Sequence, residues 1–392
     1  MNRLENKDLL KKYIEIYTSD EGTRNDELEV VFGSRYDKIT RIKFENVISR
    51  LKSLGFTSNN SSGNYHLNIQ SQFINERTGK SNMSNIRTTI VGLKTIQDYC
   101  NTDTIDNPRD CTFIQKTIKI HNDDRLYPID YNDFGFRINY KTEKNLKPEF
   151  GIVKDMLEKW QNQKKIFRLI KRFTYTHPDY PIKVDLSVVR SSNKTNGRMI
   201  PEYRVENSNV FNNSESYEIE IEVDKTHERY PIIITPDNKK NAESYLLYVI
   251  KKCIKLILSG IQESNFPISI NEQDAVLDNY MSILYNKNKP DRRIRTKDFV
   301  GPSSVSLELK NIIPLSDDVS IPNIRTSYTV TEKADGYRKL LFISKNGKIY
   351  LIDTNMRVQF TGVKTDTKNY FNTIIDGEHV LKDKNQNVIN NY

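Results

Sequence analysis

The segment Lys333-Ala334-Asp335-Gly336-Tyr337-Arg338 places an amine, a turn and a guanidinium within six residues. A protonated lysine does not attack phosphorus, but a lysine whose surroundings remove its proton can. Asp335-Gly336 is a turn signal. Arg338 follows closely enough to hold a ribose or phosphate oxygen through its planar fork. Farther on, Ile374-Ile375 leads into Asp376-Gly377-Glu378, which reads as an apolar strand ending in an acidic turn. This set suits transfer of a nucleoside monophosphate onto Lys333.

A second kind of chemistry lies upstream, in Glu27-x-Glu29 and Glu218-x-Glu220-x-Glu222. Strand side chains alternate, so the glutamates share one face while Leu28 and Val30, or Ile219, Ile221 and Val223, share the other. Carboxylates on one face stand roughly 6.5 to 7 Å apart and repel. A divalent cation relieves that repulsion, and hard oxygen ligands suit magnesium or manganese. Strands between these two alternate in the same way with cations. Arg137, Asn139 and Lys141 share a face, as do Arg168, Arg172 and Thr174, and Lys183, Asp185 and Ser187. If all the apolar faces point one way, acids and cations line one space fit for a metal-bound triphosphate.

Positioning these side chains requires strands. The alternation predicts them near Glu27–Gly33, Phe113–Ile120, Phe136–Lys141, Lys165–Tyr175, Ile182–Val189 and Tyr217–Val223. Many short strands without long helices between them favour an antiparallel barrel or sandwich. Helices are expected over the first dozen residues, over a segment capped by Thr40 and ended by Gly55, and over Asn241–Ile261. Asn286–Val300 reads as a linker. A second β-rich region follows, with strands at Tyr328–Glu332, Leu340–Ser344 and Ile349–Asp353, and at Ile374-Ile375.

Composition sets bounds. A chain of 392 residues can bury two or three cores, and a net charge of +9 suits a polyanionic partner. Cys100, Cys111 and Cys253 form no C-x-x-C pair, which argues against zinc or a disulfide framework and fits a reducing compartment. The longest apolar stretch is broken by Lys251, Lys252 and Lys255, so it is no membrane span. Met1–Lys12 is charged throughout, unlike a signal peptide. The histidines show no metal spacing.

On the E-x-E and E-x-E-x-E strands, the region from Met1 to about Pro236 resembles the triphosphate-tunnel metalloenzymes, in particular the metal-dependent RNA 5′-triphosphatases of fungi and large DNA viruses. The resemblance implies that Glu27, Glu29 and Glu222 ligate magnesium or manganese, with Glu218 and Glu220 arranging metal or water. A basic R-x-K-x-R-x-S strand is matched by Arg168, Arg172 and Thr174, with Ile170 in place of the central lysine. An R-x-D-x-T strand is matched by Lys183, Asp185 and Ser187. Together with Arg137, these are the implied triphosphate-binding residues.

The K-x-D-G-x-R and D-G-E elements resemble the covalent nucleotidyltransferases, which comprise mRNA guanylyltransferases and ATP-dependent DNA or RNA ligases. The resemblance implies a phosphoramidate on Lys333, nucleotide contacts from Arg338 and Asp335, and a ribose or lysine contact from Glu378. Phe299–Leu307 resembles the lead-in of capping enzymes. Where that family carries Asp-Arg, this chain has Asp353-Thr354, with Arg357 the nearest arginine. The later E-G-(V/I) and K-x-K elements are not found before Tyr392, so the transferase domain is expected to be incomplete.

The fold class expected is α+β: an antiparallel β-barrel tunnel with packed helices (residues 1–240), a helical segment and linker (241–300), and the first part of an antiparallel β/α nucleotidyltransferase domain (301–392). The function implied is mRNA 5′-end capping, in which 5′-triphosphate RNA loses its γ-phosphate and GMP then passes from GTP through lysyl-GMP. A methyltransferase in the same polypeptide, no membrane, and a cytoplasmic setting (a viral factory or virion) complete the expectation. A ligase-type transferase using ATP and a non-catalytic polyphosphate- or nucleotide-binding module remain as alternatives.

Overall fold

The computed structural model describes residues 4–19, 25–34, 37–75, 77–230, 239–286, 292, 294–301, 306–314, 323–325, 328–330, 336–383, 385 and 387. The chain forms two compact units, 1–263 and 264–392.

In the first unit eight strands close on themselves. They are β1 (Asp26–Phe32), β2 (Asn64–Ile74), β3 (Ile86–Val91), β4 (Cys111–Ile118), β5 (Phe136–Leu146), β6 (Lys165–His177), β7 (Tyr180–Ser191) and β8 (Ser216–Val223). Around the ring the order is β1-β8-β7-β6-β2-β3-β4-β5, and β5 pairs back with β1. Every pairing is antiparallel. The barrel is therefore a closed cylinder with no free edge in the ring.

The polarity of this cylinder is inside-out relative to a small filled barrel. Leu28, Val30 and Phe32 of β1, Ile138 and Tyr140 of β5, Ile182, Val184 and Leu186 of β7, and Ile219, Ile221 and Val223 of β8 all face outward into one core. Helices α1 (Leu4–Thr18), α2 (Arg41–Ser53) and α5 (Lys239–Gln262) cover that half. Thr40 caps α2, accepting from Lys43 N at 3.3 Å. Close approach of α2 and α5 depends on Gly260, where a Cβ would stand 2.9 Å from Val47. The other half of the wall turns Leu67, Ile69, Ile86, Ile90, Phe113 and Phe167 into a second core against α3 (Leu93–Thr102) and α4 (Gly151–Glu158). With the apolar faces spent on two outer cores, period-two alternation leaves polar side chains for the lumen.

β2 and β3 carry too little apolar alternation to have been expected. His66, Asn68 and Gln70 occupy the lumen positions of β2, so its sequence reads as polar.

Among the described residues the second unit holds one antiparallel sheet of β9 (Tyr337–Ile343), β10 (Lys348–Asp353), β11 (Val358–Lys364) and β12 (Thr373–His379), in the order β11-β10-β9-β12. Helix α6 (Ile270–Tyr285) packs Val276, Tyr280 and Met281 against Leu340, Phe342, Tyr350 and Ile352. The segment expected as a connector, 241–300, is thus divided: α5 belongs to the first core and α6 to the second. Within 286–300, Asp298 is fixed by the Arg292 fork at 2.6 and 2.7 Å, and Tyr280 Oη donates to its carbonyl at 2.8 Å.

Two expectations for this unit are corrected. Tyr328–Val330 form no strand, and Val330 is fully exposed. Asp376, Gly377 and Glu378 lie inside β12 rather than in a turn, because β12 pairs with β9 through His379.

No helix among the described residues is long and apolar enough to cross a membrane.

Candidate functional site

The strand that opens the barrel and the strand that closes it are hydrogen-bonded neighbours, with Glu29 opposite Glu222 and Val31 opposite Glu220. The two acidic motifs are therefore side by side at the closing seam, not opposed across the lumen. On the other flank of β1, Glu27 stands opposite Lys141 and Glu29 opposite Asn139.

Like charges placed directly across strands destabilise a sheet unless other charges intervene, and here they do. Glu29 is 5% exposed and accepts from Asn139 Nδ2 at 2.8 Å and from the Lys141 ammonium. Lys116 of β4 bridges Glu27, at 2.8 Å, and Glu143. Lys183 lies 3.4 Å from Glu222. Arg168 Nη2 donates to both Glu218 oxygens, at 2.6 and 2.8 Å. Arg172 reaches Asp185 at 3.1 Å, Glu220 at 3.8 Å and Ser187 Oγ at 3.2 Å. Thr174 Oγ1 donates to Asp185 at 2.6 Å.

The structure thus brings Glu27, Glu29, Glu218, Glu220, Glu222, Arg168, Arg172, Lys183 and Asp185 onto one lumen. Arg137 shares their pleat phase, but it is exposed and its Nε pairs with Asp130 at 2.6 Å, so it stands apart. Ile170 is buried on the lumen side between Val189 and His66. No bulge lies near it, and Lys171 turns outward over the Tyr65 and Phe173 rings.

Sequence reading missed Lys116, Glu143 and Arg87. Arg87 is opposite in character to its neighbours, since no hydrogen bond or ion pair engages it among the described residues and its buried Nε is unpartnered. Burial lowers its guanidinium below the ordinary value; Arg172 and Arg168 add to that, while Glu143 and Glu27 oppose it. The cation that Ile170 does not supply from β6 is present on β3 instead. The signal available was phase: Arg87 lies between Ile86 and Thr88, out of step with Ile86 and Ile90.

The carboxylates outrun their local cations. Burial pushes Glu27 up to about 7, with Glu29 and Glu143 adding to the shift against the opposing pull of Lys116. Burial likewise pushes Glu220 up to about 7, reinforced by Glu29, Glu218 and Asp185 and opposed by Arg172. Glu222 is raised by burial despite Lys183. Desolvated hard oxygens carrying this much uncompensated charge fit a divalent cation in chemistry. Among the described residues no three acidic, histidine or cysteine side chains form a ready-made cage. Loading would therefore draw glutamates away from their lysine partners.

These shifts have a sign in stability. Both folded-state values lie above the ordinary 4.5, so the folded chain holds protons that the unfolded chain releases. The contribution is complete below the ordinary value and is lost as pH rises through about 7. The melting temperature of metal-free protein is expected to fall between about pH 5 and pH 8. Magnesium or manganese should restore more at the upper end than the lower. A melting temperature that rises with pH across this window would contradict the assignment.

In the second unit, Lys333 and Asp335 lie outside the described residues. Arg338 faces Glu378 across the β9–β12 pair and forks onto Asp376 at 3.0 and 2.6 Å, with Phe299 5.5 Å beneath its guanidinium. That hydrogen bond holds the Asp376 carboxyl below its ordinary value. Glu378 is exposed beside it. Arg357 lies 3.7 Å from Asp353 in the turn after β10.

Comparison with known proteins adds three findings. Over 120 residues the chain is 33% identical to the "Probable mRNA-capping enzyme" of Acanthamoeba polyphaga mimivirus, a stretch that is 31% of this chain and 9% of that protein. The chain thus spans less than a tenth of the curated relative it matches. Among solved structures, the RNA triphosphatase domain of a trifunctional mimivirus mRNA capping enzyme is similar with a TM-score of 0.39 and 16% identity, covering 66% of this chain and 97% of that one. The S. pombe Pct1 RNA triphosphatase is similar with a TM-score of 0.38 and 14% identity, covering 64% and 92%. The family described as mRNA capping enzyme, catalytic domain, matches residues 263–392, a range that spans the second unit.

Proposed function

We propose that this chain carries two successive steps of mRNA 5′-end capping: metal-dependent removal of the γ-phosphate from 5′-triphosphate RNA in the barrel, and uptake of GMP from GTP onto Lys333 in the second unit. The observation that carries the first step is the closing seam, where Glu29 and Glu222 sit side by side inside a closed cylinder walled elsewhere by cations.

In this reading Glu27, Glu29 and Glu222 hold magnesium or manganese. The bound cation would polarise the γ-phosphate and neutralise charge developing on its oxygens. Arg168, Arg172, Lys183, Lys116 and Arg87 bind phosphate oxygens, and the buried Arg87 Nε is a donor with no hydrogen-bond partner among the described residues. Water attacks the γ-phosphorus, the bond to the bridging oxygen breaks, and the water proton passes to a carboxylate. Glu220, raised to about 7, is suited to accept it near neutral pH. Asp185, held by Arg172 and Thr174, fixes the guanidinium's direction.

In the second unit Lys333 attacks the α-phosphorus of GTP and pyrophosphate leaves. Arg338 must release Asp376 to take a nucleotide oxygen, with Asp335 and Glu378 contacting nucleotide or lysine. The 33% identity to the mimivirus protein and the family match over 263–392 support GTP as the nucleotide.

The test of the first step is inorganic phosphate released from 5′-triphosphate RNA. Release is expected with magnesium or manganese and absent when a chelator is added. Equal release under both conditions would end the proposal.

A further inference from the structure

At the end of the barrel where β1 finishes and β8 begins lies a recess of about 970 Å³. Glu218 belongs both to its wall and to the lumen face of β8, next in phase to Glu220. The recess therefore borders the lumen at Glu218, whose partner there is Arg168.

Its chemistry differs from that of the lumen. Phe32, Ile39, Ile200 and Tyr217 supply apolar surface, and about half of the wall is short neutral polar side chains, among them Ser192, Asn193 and Asn213. These are tied to one another: Asn213 Nδ2 donates to Ser191 O at 2.9 Å and to Asn193 Oδ1 at 3.2 Å, and Phe167 N donates to Ser192 Oγ at 2.8 Å. The wall is built before any ligand arrives. Two lysines, Lys38 and Lys194, stand exposed on it, and neither takes part in an ion pair among the described residues. The acids on the wall are already engaged, Glu218 by Arg168 and Glu215 by Arg190 at 3.0 Å.

A triphosphate is served by the dense cations of the lumen and does not need this volume. Pockets of roughly 300–1,000 Å³ take nucleotide-sized ligands. Hydroxyl and amide groups suit ribose and base edges, and single, spaced lysines suit single phosphodiesters. We propose that this recess receives the first nucleotides of the RNA whose 5′-triphosphate lies in the lumen. The inference rests on the triphosphatase reading and adds the place where polynucleotide is distinguished from bare polyphosphate.

The test compares two substrates in the double variant Lys38→Ala/Lys194→Ala of this chain. For a 5′-triphosphate oligoribonucleotide, KM is expected to rise on the order of tenfold with a shallower salt dependence, and kcat to hold. For inorganic tripolyphosphate, both constants are expected to stay at the wild-type values. An unchanged KM for RNA overturns the proposal, and so does an equal loss on both substrates, which would mean that the effect reached the lumen. If the wild-type protein hydrolyses neither substrate, the lumen reading itself fails, and that outcome is distinct from the other two.

Discussion

Exchange of Glu29 for glutamine is expected to lower phosphate release from 5′-triphosphate RNA by a factor on the order of 10³ while the fold survives. Glutamine keeps the size of the side chain and an oxygen that can still accept from Asn139 Nδ2. It loses the negative charge and one hard oxygen, and these are what a divalent cation takes from the position. Alanine is the less clean choice, because it would strand the Lys141 ammonium in a half-buried site without its partner. Glu222→Ala should give a loss of similar order, since Glu222 is the lateral neighbour of Glu29 in the seam. A thermal melt on the same samples separates lost chemistry from lost structure. Wild-type release rates in both variants would show that the seam is not the site.

Covalent label from GTP is expected to vanish in Lys333→Arg. An arginine keeps the positive charge but cannot be deprotonated in a protein, so it has no lone pair to form a phosphoramidate. Label from ATP is expected at neither the wild-type nor the variant protein. A wild-type adduct formed from ATP and not from GTP would turn the second unit into a ligase-type transferase. Label that persists in Lys333→Arg would place the nucleophile elsewhere.

Much of the barrel was legible in the sequence because the outward faces of its best-patterned strands are apolar. Leu28, Val30 and Phe32 in β1 and Ile219, Ile221 and Val223 in β8 alternate with glutamates, so both strand and face follow from period two. The same logic failed at β2, where Asn68 and Gln70 in the lumen and an exposed Phe73 and Ile74 blur the alternation. A barrel was expected, but its pairing scheme was not legible: that the first strand joins both the fifth and the eighth is a long-range fact that no local pattern encodes. Period two puts both acidic motifs in one space, but only that pairing makes Glu29 and Glu222 lateral neighbours.

Lys116 and Arg87 were missed because each is a single charge on its strand, and Glu143 because it is the one acid on a strand of cations; only their convergence on Glu27 marks them. Arg137 erred the other way. It has the right phase on β5, but the neighbouring Asp130 claims it at the exposed end. The acidic turn expected at Asp376–Glu378 became strand because β9 supplies a full partner ladder as far as His379.

Pairing of Glu29 with Glu222 also governs when the barrel can act. On a growing polypeptide the first acidic strand emerges long before its neighbour. Until the eighth strand is delivered, β1 lacks one flank and the carboxylates meet bulk water rather than each other. Contacts of such sequence separation are slow to form, since the intervening loop must be drawn shut before they return any stabilisation. A nascent chain is therefore expected to release no phosphate until the final strand arrives, and a cleavage anywhere between the two that lets β8 drift should abolish release without touching any of the proposed metal ligands.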